Sequence, residues 1–370
     1  MTGTRVADFI VVGGGIQGCS AALHLARRGG SVIVLEKDRV ARHASGVNAG
    51  GVRRLGRDYP EVPIAQAAWS YWQDMPALVN DDCGFRATRH LKVARSENDL
   101  KAARRRVADL KALGFSHEEV IDRDTLREFL PAAAAHCSGA LHVAGDGAAL
   151  PFRTTQVFKR RAQKLGARFF ENTPVSDLRH SAGTWRAQTP GRAFEAPTVV
   201  NAAGAWAGRL AEIVGDRVPL AAHAPMLVIT NRLPAFVLPV VGAFGEPLSF
   251  KQFDNGTVLI GGGVRGEAYP ESNRTVLDMP ALTQMLGTAL DIFSIMQKAH
   301  IVRAWAGIEA YTPDDLPVIG KGGSEGIVHA FGFSAHGFQL APAVGAIVAD
   351  LATGSEPILP IEAFKVSRFN

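Results

Sequence analysis

The feature that most constrains the fold is a glycine-rich turn near the start of the chain. Residues 13–18 read GGGIQG, which is the spacing G-x-G-x-x-G. A short apolar run over residues 6–12 precedes the turn, and a stripe of small residues at helical spacing over 16–28 follows it. This order predicts a buried parallel strand, a tight turn and a helix, which begin a doubly wound α/β domain that binds a dinucleotide.

Each glycine of the turn has a physical task. Gly13 allows the tight turn, Gly15 lets a pyrophosphate approach the backbone, and Gly18 lets the helix pack closely on the strand. The first N–H groups of the helix, at Ile16 and Gln17, are free to bind phosphate. A second strand ends at Glu36, which lies where a carboxylate accepts hydrogen bonds from the adenosine ribose. NAD and FAD both use this unit, so the turn alone leaves both open.

Three later segments favour FAD over NAD. Residues 198–206 read as a strand that leads into small residues, which allow an extended dinucleotide to pass close to the backbone. Residues 174–178 are predicted to begin a strand whose Val175 either meets the adenine or is simply buried. Residues 332–339 lead into the last helix, predicted over 342–351, whose N-terminal end would stabilise negative charge on a reduced flavin.

Composition excludes several classes of protein. The 370 residues are 47% hydrophobic and 20% charged, as in globular chains, and no apolar run reaches the roughly 18 residues of a membrane span. The net charge of +5 comes partly from helical clusters without interleaved aromatic residues, which argues against nucleic acid. Three scattered cysteines and no leader-like start predict a cytoplasmic protein with no disulfide framework and no metal site.

The alternation of elements along the chain predicts two interleaved domains. One is an α/β, Rossmann-like domain that binds the dinucleotide, and the other is an α+β substrate domain with a large mixed or antiparallel sheet. The first is predicted over residues 1–58, 146–216 and 320–370, and the second over residues 59–145 and 217–319.

Five ordered motifs together resemble the D-amino acid oxidase superfamily, and within it the sarcosine, glycine and iminodiacetate oxidase branch. They are residues 13–18, 44–53, 201–206, 303–307 and 332–339. The resemblance implies hydride transfer from the carbon next to an amine nitrogen to flavin N5. The imine then hydrolyses to a glyoxylate-type product and an amine, and oxygen reoxidises the flavin to give hydrogen peroxide.

The same resemblance implies a set of FAD contacts in these segments. The expected contacts are Gly13, Gly15, Ile16, Gln17, Gly18, Glu36, Lys37, His43, Ala44, Ser45, Asn48, Ala49, Gly50, Val175, Ala202, Ala203, Gly204, Trp206, Gly307, Phe333, Ser334, His336, Gly337, Phe338 and Gln339. Non-covalent FAD is favoured, although the segment around His43 partly resembles one that attaches FAD covalently in related dehydrogenases.

Two departures from the family bear on the substrate. Glu309 stands where glycine oxidases have an arginine for the substrate carboxylate, and Gln339 stands where sarcosine oxidases have a lysine. A carboxylate-binding charge must then come from elsewhere, and arginine suits bidentate recognition of a carboxylate. The predicted substrate-binding residues are Arg53, Arg54, Arg57, Arg265, Glu309 and Gln339.

The predicted catalytic residues are His336, Arg53 and Lys251, with His336 close to the flavin. The favoured substrate is an N-substituted glycine such as sarcosine or iminodiacetate. The alternatives are a D-amino acid or hydroxyproline as substrate, a non-oxygen electron acceptor or partner subunit, and an NAD-dependent dehydrogenase.

Overall fold

The computed structural model describes residues 4–369. Its strands, in chain order from β1 to β22, are Arg5–Val6, Phe9–Val12, Val32–Leu35, Gly51–Val52, His90–Ala94, Glu119–Asp122, Gly139–Val143, Gly147–Ala148, Arg168–Phe170, Asp177–Ser181, Thr184–Thr189, Arg192–Ala196, Thr198–Asn201, Ala221–Arg232, Val240–Ala243, Ser249–Gln252, Thr257–Tyr269, Arg274–Val276, Ile301–Ala306, Glu309–Tyr311, Val318–Lys321 and Ile327–Phe331.

The α-helices pack around these strands and are joined by short 3₁₀ turns. In chain order from α1 to α10 they are Ile16–Arg27, Ala44–Val47, Val62–Gln73, Met75–Val79, Glu97–Ala112, Arg123–Phe129, Pro151–Lys164, Ala207–Ile213, Met279–Ile292 and Gly337–Ala352.

A six-stranded sheet forms the dinucleotide-binding half. Its strand order is β21-β22-β13-β2-β3-β9, and every neighbouring pair is parallel except β21 with β22. β2 and β3 are continuous apolar runs that are buried along their whole length, as expected of parallel strands covered on both faces. The predicted α/β fold is therefore confirmed, with the glycine-rich turn at the carboxyl end of a central strand.

A ten-stranded mixed sheet forms the other half. Its order is β19-β14-β17-β16-β15-β5-β7-β6, with β18 and β20 attached at its side. The turn signal at residues 254–256 lies between β16 and β17, which pair antiparallel as predicted. β5 and β15 come from distant parts of the chain and pair in parallel, so the sheet joins residues that the sequence keeps far apart.

The first apolar run is not one strand. It divides into β1 and β2, which belong to different sheets, because Asp8 turns the chain between them. The carboxylate of Asp8 accepts hydrogen bonds from the backbone N–H and the hydroxyl of Ser31, at 2.7 and 2.6 Å. The strand predicted at residues 174–178 begins only at Asp177, so Val175 lies in the preceding loop.

The last helix begins five residues earlier than predicted. The sequence suggested that Pro342 starts it, since proline is favoured in a first helical turn. α10 begins instead at Gly337 and contains Pro342 in its interior. Proline has no N–H to donate there, so one bond of the helical ladder is missing.

Side chains of α1 and α3 anchor this part of α10 by donating to its backbone carbonyls. The bonds run from Gln17 Nε2 to Gly337 O at 2.7 Å, from Ser20 Oγ to Ala341 O at 2.8 Å, and from Trp72 Nε1 to Gln339 O at 2.8 Å. The helix that carries the glycine-rich turn and the last helix are therefore fastened to each other.

The packing of α3 and α4 bears on the predicted domain boundary at residue 58. Both helices were expected in the substrate domain, which was predicted to include residues 59–145. Their apolar residues, including Ile64, Trp72 and Leu78, lie in the same core as those of α1 and α10. By packing, residues 62–79 thus belong with the dinucleotide-binding half.

Within residues 4–369 no helix is both long and apolar enough to span a bilayer.

Candidate active site

One continuous cavity of about 840 Å³ runs from the glycine-rich turn to the face of the ten-stranded sheet. This volume lies in the range of ordinary ligand sites. The part around the turn contains many glycines and small side chains, and the part at the ten-stranded sheet includes the charged residues Arg53, Lys92, Arg265 and Glu309. These two parts are called here the nucleotide end and the substrate end.

The turn at the nucleotide end has no room for side chains. Gly13 adopts a φ of 111°, and a Cβ atom there would lie 2.3 Å from the carbonyl oxygen of Ala202. A Cβ atom on Gly18 would lie 1.9 Å from the carbonyl oxygen of Gly13. Gly18 therefore acts from behind the cavity by letting α1 pack on the turn, which is the role its spacing predicts.

The N-terminus of α1 opens into the cavity. Its first turn consists of the uncharged residues Ile16, Gln17 and Gly18, and its N-cap Gly15 offers no side chain. Ser45 Oγ accepts a hydrogen bond from the N–H of Ile16 at 2.9 Å. The neighbouring N–H groups and the positive end of the helix dipole suit a pyrophosphate.

Glu36 holds the turn as well as facing the cavity. Its Oε2 accepts from the N–H of Gly14 at 2.6 Å, and its Oε1 accepts from the N–H of Asp38 at 2.8 Å. Burial raises the pKa of Glu36 above its ordinary value, although both N–H groups oppose that effect. Each carboxylate oxygen still has a lone pair that can accept from a ribose hydroxyl.

His43 and Lys37 form a cluster with Trp206 beside this carboxylate. His43 Nε2 lies 2.7 Å from Asp38 Oδ2, and its ring centroid lies 4.6 Å from that of Trp206. Lys37 Nζ lies 3.9 Å from the Trp206 ring and 2.6 Å from Asp38 Oδ2. Trp206 Nε1 donates to Pro270 O at 3.2 Å, which ties the nucleotide end to a loop of the ten-stranded sheet.

The loop over residues 332–336 leads into the N-terminus of α10, which faces the middle of the cavity. His336 lies at the N-cap position, and its Nδ1 is 2.8 Å from Glu61 Oε2. Burial lowers the pKa of His336 below its ordinary value, against the opposing effect of Glu61. Burial would raise the pKa of Glu61, but His336 and the cations of Arg57 and Arg53 outweigh it and lower that pKa.

Two neighbouring arginines at the substrate end differ in their partners. Arg57 is fully buried, lies 3.7 Å from Glu61 Oε2, and donates from Nη2 to Gln339 Oε1 at 3.2 Å. Arg53 donates from Nη1 to Leu55 O at 2.7 Å. Among residues 4–369, Arg53 has no carboxylate oxygen within ion-pair distance, so its charge is available to a ligand.

Glu309 and Arg265 lie on another wall of the same end. Glu309 Oε1 accepts from the N–H of Ala335 at 3.0 Å, and burial raises the pKa of Glu309 to about 7. The guanidinium of Arg265 lies 3.8 Å from the ring of Tyr311 and is exposed to solvent. A cation and a carboxyl group that can hold or release a proton thus lie close together.

The structure places most of the expected contacts on the cavity wall. The lining residues that the sequence suggested are Gly13, Gly15, Ile16, Gln17, Glu36, Lys37, His43, Ala44, Ser45, Asn48, Ala49, Gly50, Arg53, Arg57, Val175, Ala202, Ala203, Gly204, Trp206, Arg265, Gly307, Glu309, Phe333, Ser334, His336, Gly337 and Phe338. Besides Gly18, three suggested residues lie off this wall: Arg54, Gln339 and Lys251.

Arg54 and Gln339 have structural partners instead of a ligand. Arg54 Nε lies 3.0 Å from the fully buried Asp146, and its guanidinium lies 3.8 Å from the ring of Trp69. Gln339 is fully buried, and its Nε2 donates to Ala65 O at 2.9 Å. Both amide ends of Gln339 are bonded within the protein, and the residue does not line the cavity, so the structure does not support its expected contact with substrate and FAD.

Lys251 lies further along β16 than the cavity reaches. Ser249, two residues earlier on this strand, lines the cavity, whereas the Nζ of Lys251 lies 4.9 Å from the ring of Phe253. Burial lowers the pKa of Lys251 to about 8. Its expected catalytic role is not supported by its position.

Three side chains at the substrate end were not predicted from the sequence. Lys92 and His90 line the cavity from β5, and Glu61 pairs with His336 behind it. Glu61 had a weak signal, because it lies four residues after Arg57. Lys92 and His90 had none, since only the pairing of β5 with β15 brings them to the site.

The fold and the cavity define an oxidoreductase that binds a dinucleotide. Over residues 8–351 the chain matches the family described as FAD dependent oxidoreductase (DAO). The protein belongs to this family. The donor set fits FAD, because a helix N-terminus, a glycine cradle and a carboxylate occur at one end of a cavity that continues past a second helix N-terminus.

Similar proteins include several amine-oxidising enzymes. The chain is 28% identical to a glycine oxidase of Bacillus licheniformis, over 98% of this chain and 97% of that protein. It is 26% identical to one of the opine oxidase subunits of Rhizobium meliloti, over 98% of each. The crystal structure of glycine oxidase from Geobacillus kaustophilus superposes with a TM-score of 0.89 at 26% identity, covering 99% of both chains.

Proposed function

We propose that the protein oxidises the C–N bond of a secondary amino acid, such as sarcosine or iminodiacetate, with FAD held non-covalently. One observation carries the proposal: the phosphate-binding turn, the N-terminus of α10 and the available cations of Arg53 and Arg265 share one cavity. When bound, FAD supplies the acceptor for the hydride that leaves the carbon next to nitrogen. The protein supplies orientation and charge.

Four side chains orient the substrate in this proposal. Arg265 binds the carboxylate of the glycine unit through charge-assisted hydrogen bonds, and Arg53 binds a carboxylate on the other substituent of the nitrogen where the substrate has one. His336, whose Nδ1 lies 2.8 Å from Glu61 Oε2, accepts a hydrogen bond from the substrate amine at its Nε2. Glu309 Oε2 takes the proton that the ammonium form of the substrate must lose, since its pKa of about 7 suits that transfer near neutral pH.

The proposal that FAD has no covalent bond to His43 is supported by the contacts of this residue. Its Nε2 lies 2.7 Å from Asp38, and the residue lies beside Glu36 and Trp206 at the nucleotide end. Acid precipitation of the yellow protein tests the link. The colour should stay in the supernatant, and colour in the pellet would overturn this part of the proposal.

Anaerobic titration tests the reaction. Sarcosine, iminodiacetate and longer N-alkylglycines should bleach the visible absorbance of the holoenzyme, and hydrogen peroxide should form when air is admitted. No bleaching by any secondary amino acid would contradict the proposal. A colourless protein that cannot be reconstituted with FAD would instead favour NAD.

A second candidate is a dehydrogenase that acts on a D-amino acid or hydroxyproline and passes electrons to a partner subunit. It is favoured by the similarity to the opine oxidase subunit, whose name describes one part of an assembly. Bleaching by D-amino acids or hydroxyproline, with reoxidation by an artificial acceptor and not by oxygen, would select it. The division into interleaved domains and a cytoplasmic location remain predictions.

A further inference from the structure

We infer that Lys92, Arg53 and His90 form a second anion-binding subsite, which holds a carboxylate on the arm of the substrate distant from Arg265. The subsite rests on the proposed function and specifies its substrate class as secondary amines with two carboxylate arms. Lys92 and His90 project from β5, and Arg53 comes from the loop after β4. All three line the substrate end.

Neither cation of this subsite forms an ion pair with a carboxylate of the described residues, although more distant carboxylates act on both. Glu61, Asp146 and Asp58 favour the charged form of Arg53, and Glu118 and Asp99 favour that of Lys92. Among residues 4–369, neither Lys92 nor Arg53 has a carboxylate oxygen within 4 Å. Lys92 Nζ lies 4.8 Å from the ring of Phe244. Burial lowers the pKa of Lys92, and the charge of Arg53 lowers it further. Two partly buried positive charges near each other are costly, and a bound anion relieves that cost.

His90 adds an unpartnered polar atom at the same place. The residue is 6% exposed, and its Nδ1 is buried without a hydrogen-bond partner in the described part of the chain. Burial lowers the pKa of His90 to about 3, and Arg53, Arg57 and Lys92 contribute to the lowering. A neutral imidazole can donate one hydrogen bond to a carboxylate without adding a charge.

Two carboxylates that line the cavity near this subsite, Glu246 and Asp58, form no ion pair with its cations. Glu246 is 3.7 Å from Arg95, and Asp58 lies close to Glu61 and His336. They reduce the positive charge of the cavity without contacting Lys92 or Arg53.

The register of the sheet separates Lys92 from Arg265. Lys92 pairs with Gly242 on β15, and Ser249 on β16 pairs with Gly261 on β17. Three strand spacings therefore lie between Lys92 and β17, which is ~14 Å between backbones. Arg265 lies four residues further along β17, so the two cationic positions bound opposite sides of the substrate end.

The floor between the two positions is made of small residues. Gly242, Ser249, Gly262 and Gly263 line the cavity there. In our proposal these small residues leave room between the two cationic positions for a substrate with the amine between two arms. A single-carboxylate substrate would leave one cationic position without a partner.

Dead-end dicarboxylates test the subsite without any turnover. The holoenzyme is titrated with succinate, glutarate and adipate, and with butyrate as the monocarboxylate, while the flavin spectrum and the heat of binding are recorded. The best dicarboxylate should bind at least tenfold more tightly than butyrate. In Lys92→Met the ratio of the butyrate Kd to the Kd of the best dicarboxylate should fall close to one. In Lys92→Arg this ratio should be largely kept.

Lys321→Met is the matched control, because Lys321 is an exposed lysine on β21, outside the cavity. A ratio unchanged by Lys92→Met, or a ratio near one in the unsubstituted protein, would overturn the subsite. Lys92-dependent binding of inorganic phosphate without any binding of dicarboxylates would also overturn it, since the site would then take a free anion. FAD content and far-UV spectra of each variant show whether it has folded.

The outcome is separable from the proposed function. Failure of every amine to bleach the flavin, together with Lys92-dependent dicarboxylate binding, would remove the proposed reaction and leave the subsite. Bleaching by sarcosine alone, with no preference for dicarboxylates, would keep the reaction and remove the subsite.

Discussion

The nucleotide end and the substrate end of the cavity recognise their ligands by different means. The nucleotide end offers backbone N–H groups and glycines that lie close together in the sequence, with Glu36, Lys37 and Arg42 nearby. The substrate end uses charged side chains from β5, β17, β20 and the loop after β4. Backbone recognition is a local property of the chain, whereas side-chain recognition depends on how the ten-stranded sheet joins distant strands.

The largest expected effect is the loss of FAD binding after a substitution in the glycine-rich turn. In Gly18→Val the Cβ atom would lie only 1.9 Å from the carbonyl oxygen of Gly13. Helix α1 must therefore move away from the turn. We expect the purified variant to contain no FAD, measured by visible absorbance after reconstitution. Gly287→Ala is the control, since a Cβ atom there meets nothing within 4 Å. A yellow Gly18→Val protein would contradict the close packing described here.

The next effect separates structural from ligand-binding arginines at the substrate end. Arg54→Ala removes the ion-pair partner of the buried Asp146 carboxylate and leaves it only the backbone N–H groups of residues 54 and 55. This should lower the free energy of unfolding by about 3–5 kcal/mol. Urea denaturation measures it. Arg104→Ala removes an exposed ion pair with Glu97 and should cost about 1 kcal/mol or less. Equal losses in the two variants would show that Arg54 is not structural.

Arg265→Gln should act on the substrate and leave stability alone. The residue is exposed, so its loss should not change the urea midpoint. Loss of its charge should raise KM about tenfold, which corresponds to ~1.4 kcal/mol of binding. The comparison is with Arg232→Gln, an exposed arginine outside the cavity. An unchanged KM would remove Arg265 from the substrate site.

The last prediction concerns the protonation of Glu309. Its pKa of about 7 in the folded protein lies above the ordinary value of 4.5, so the folded state binds a proton more tightly than the unfolded state. Its contribution to stability is present at low pH and is lost as pH rises toward about 7, at up to ~1.4 kcal/mol per unit. Ala335 N–H and Arg265 favour the charged form, and Tyr311 faces it with a neutral hydroxyl.

Glu309→Gln removes this titration. Thermal unfolding of both proteins from pH 5 to pH 8 should show the variant gaining relative stability as pH rises. A constant difference across that range would mean that Glu309 is already ionised at pH 5.

The difference between the two ends also explains what the sequence could predict. In the turn at residues 13–18 and the small residues after β13, the groups that act together are close in sequence. Their predicted role in binding a dinucleotide therefore followed from residue spacing. Lys92 could not be found, because nothing local to it shows that β5 lies beside β15. Arg54 and Gln339 were misplaced for the opposite reason: their residue types suit a ligand, but their partners, Asp146 and Ala65, are invisible in the sequence.

The missing ladder bond at Pro342 and the three side-chain anchors on α10 have a consequence for cofactor loading. Gln17, Ser20 and Trp72 clamp the start of that helix to α1 and α3 without any contribution from FAD. The N-termini of α1 and α10, which both face the cavity, are thus fixed relative to one another by contacts within the protein. We expect this part of the cavity to keep its structure when FAD is removed, so that FAD rebinds without a rearrangement of the two helices.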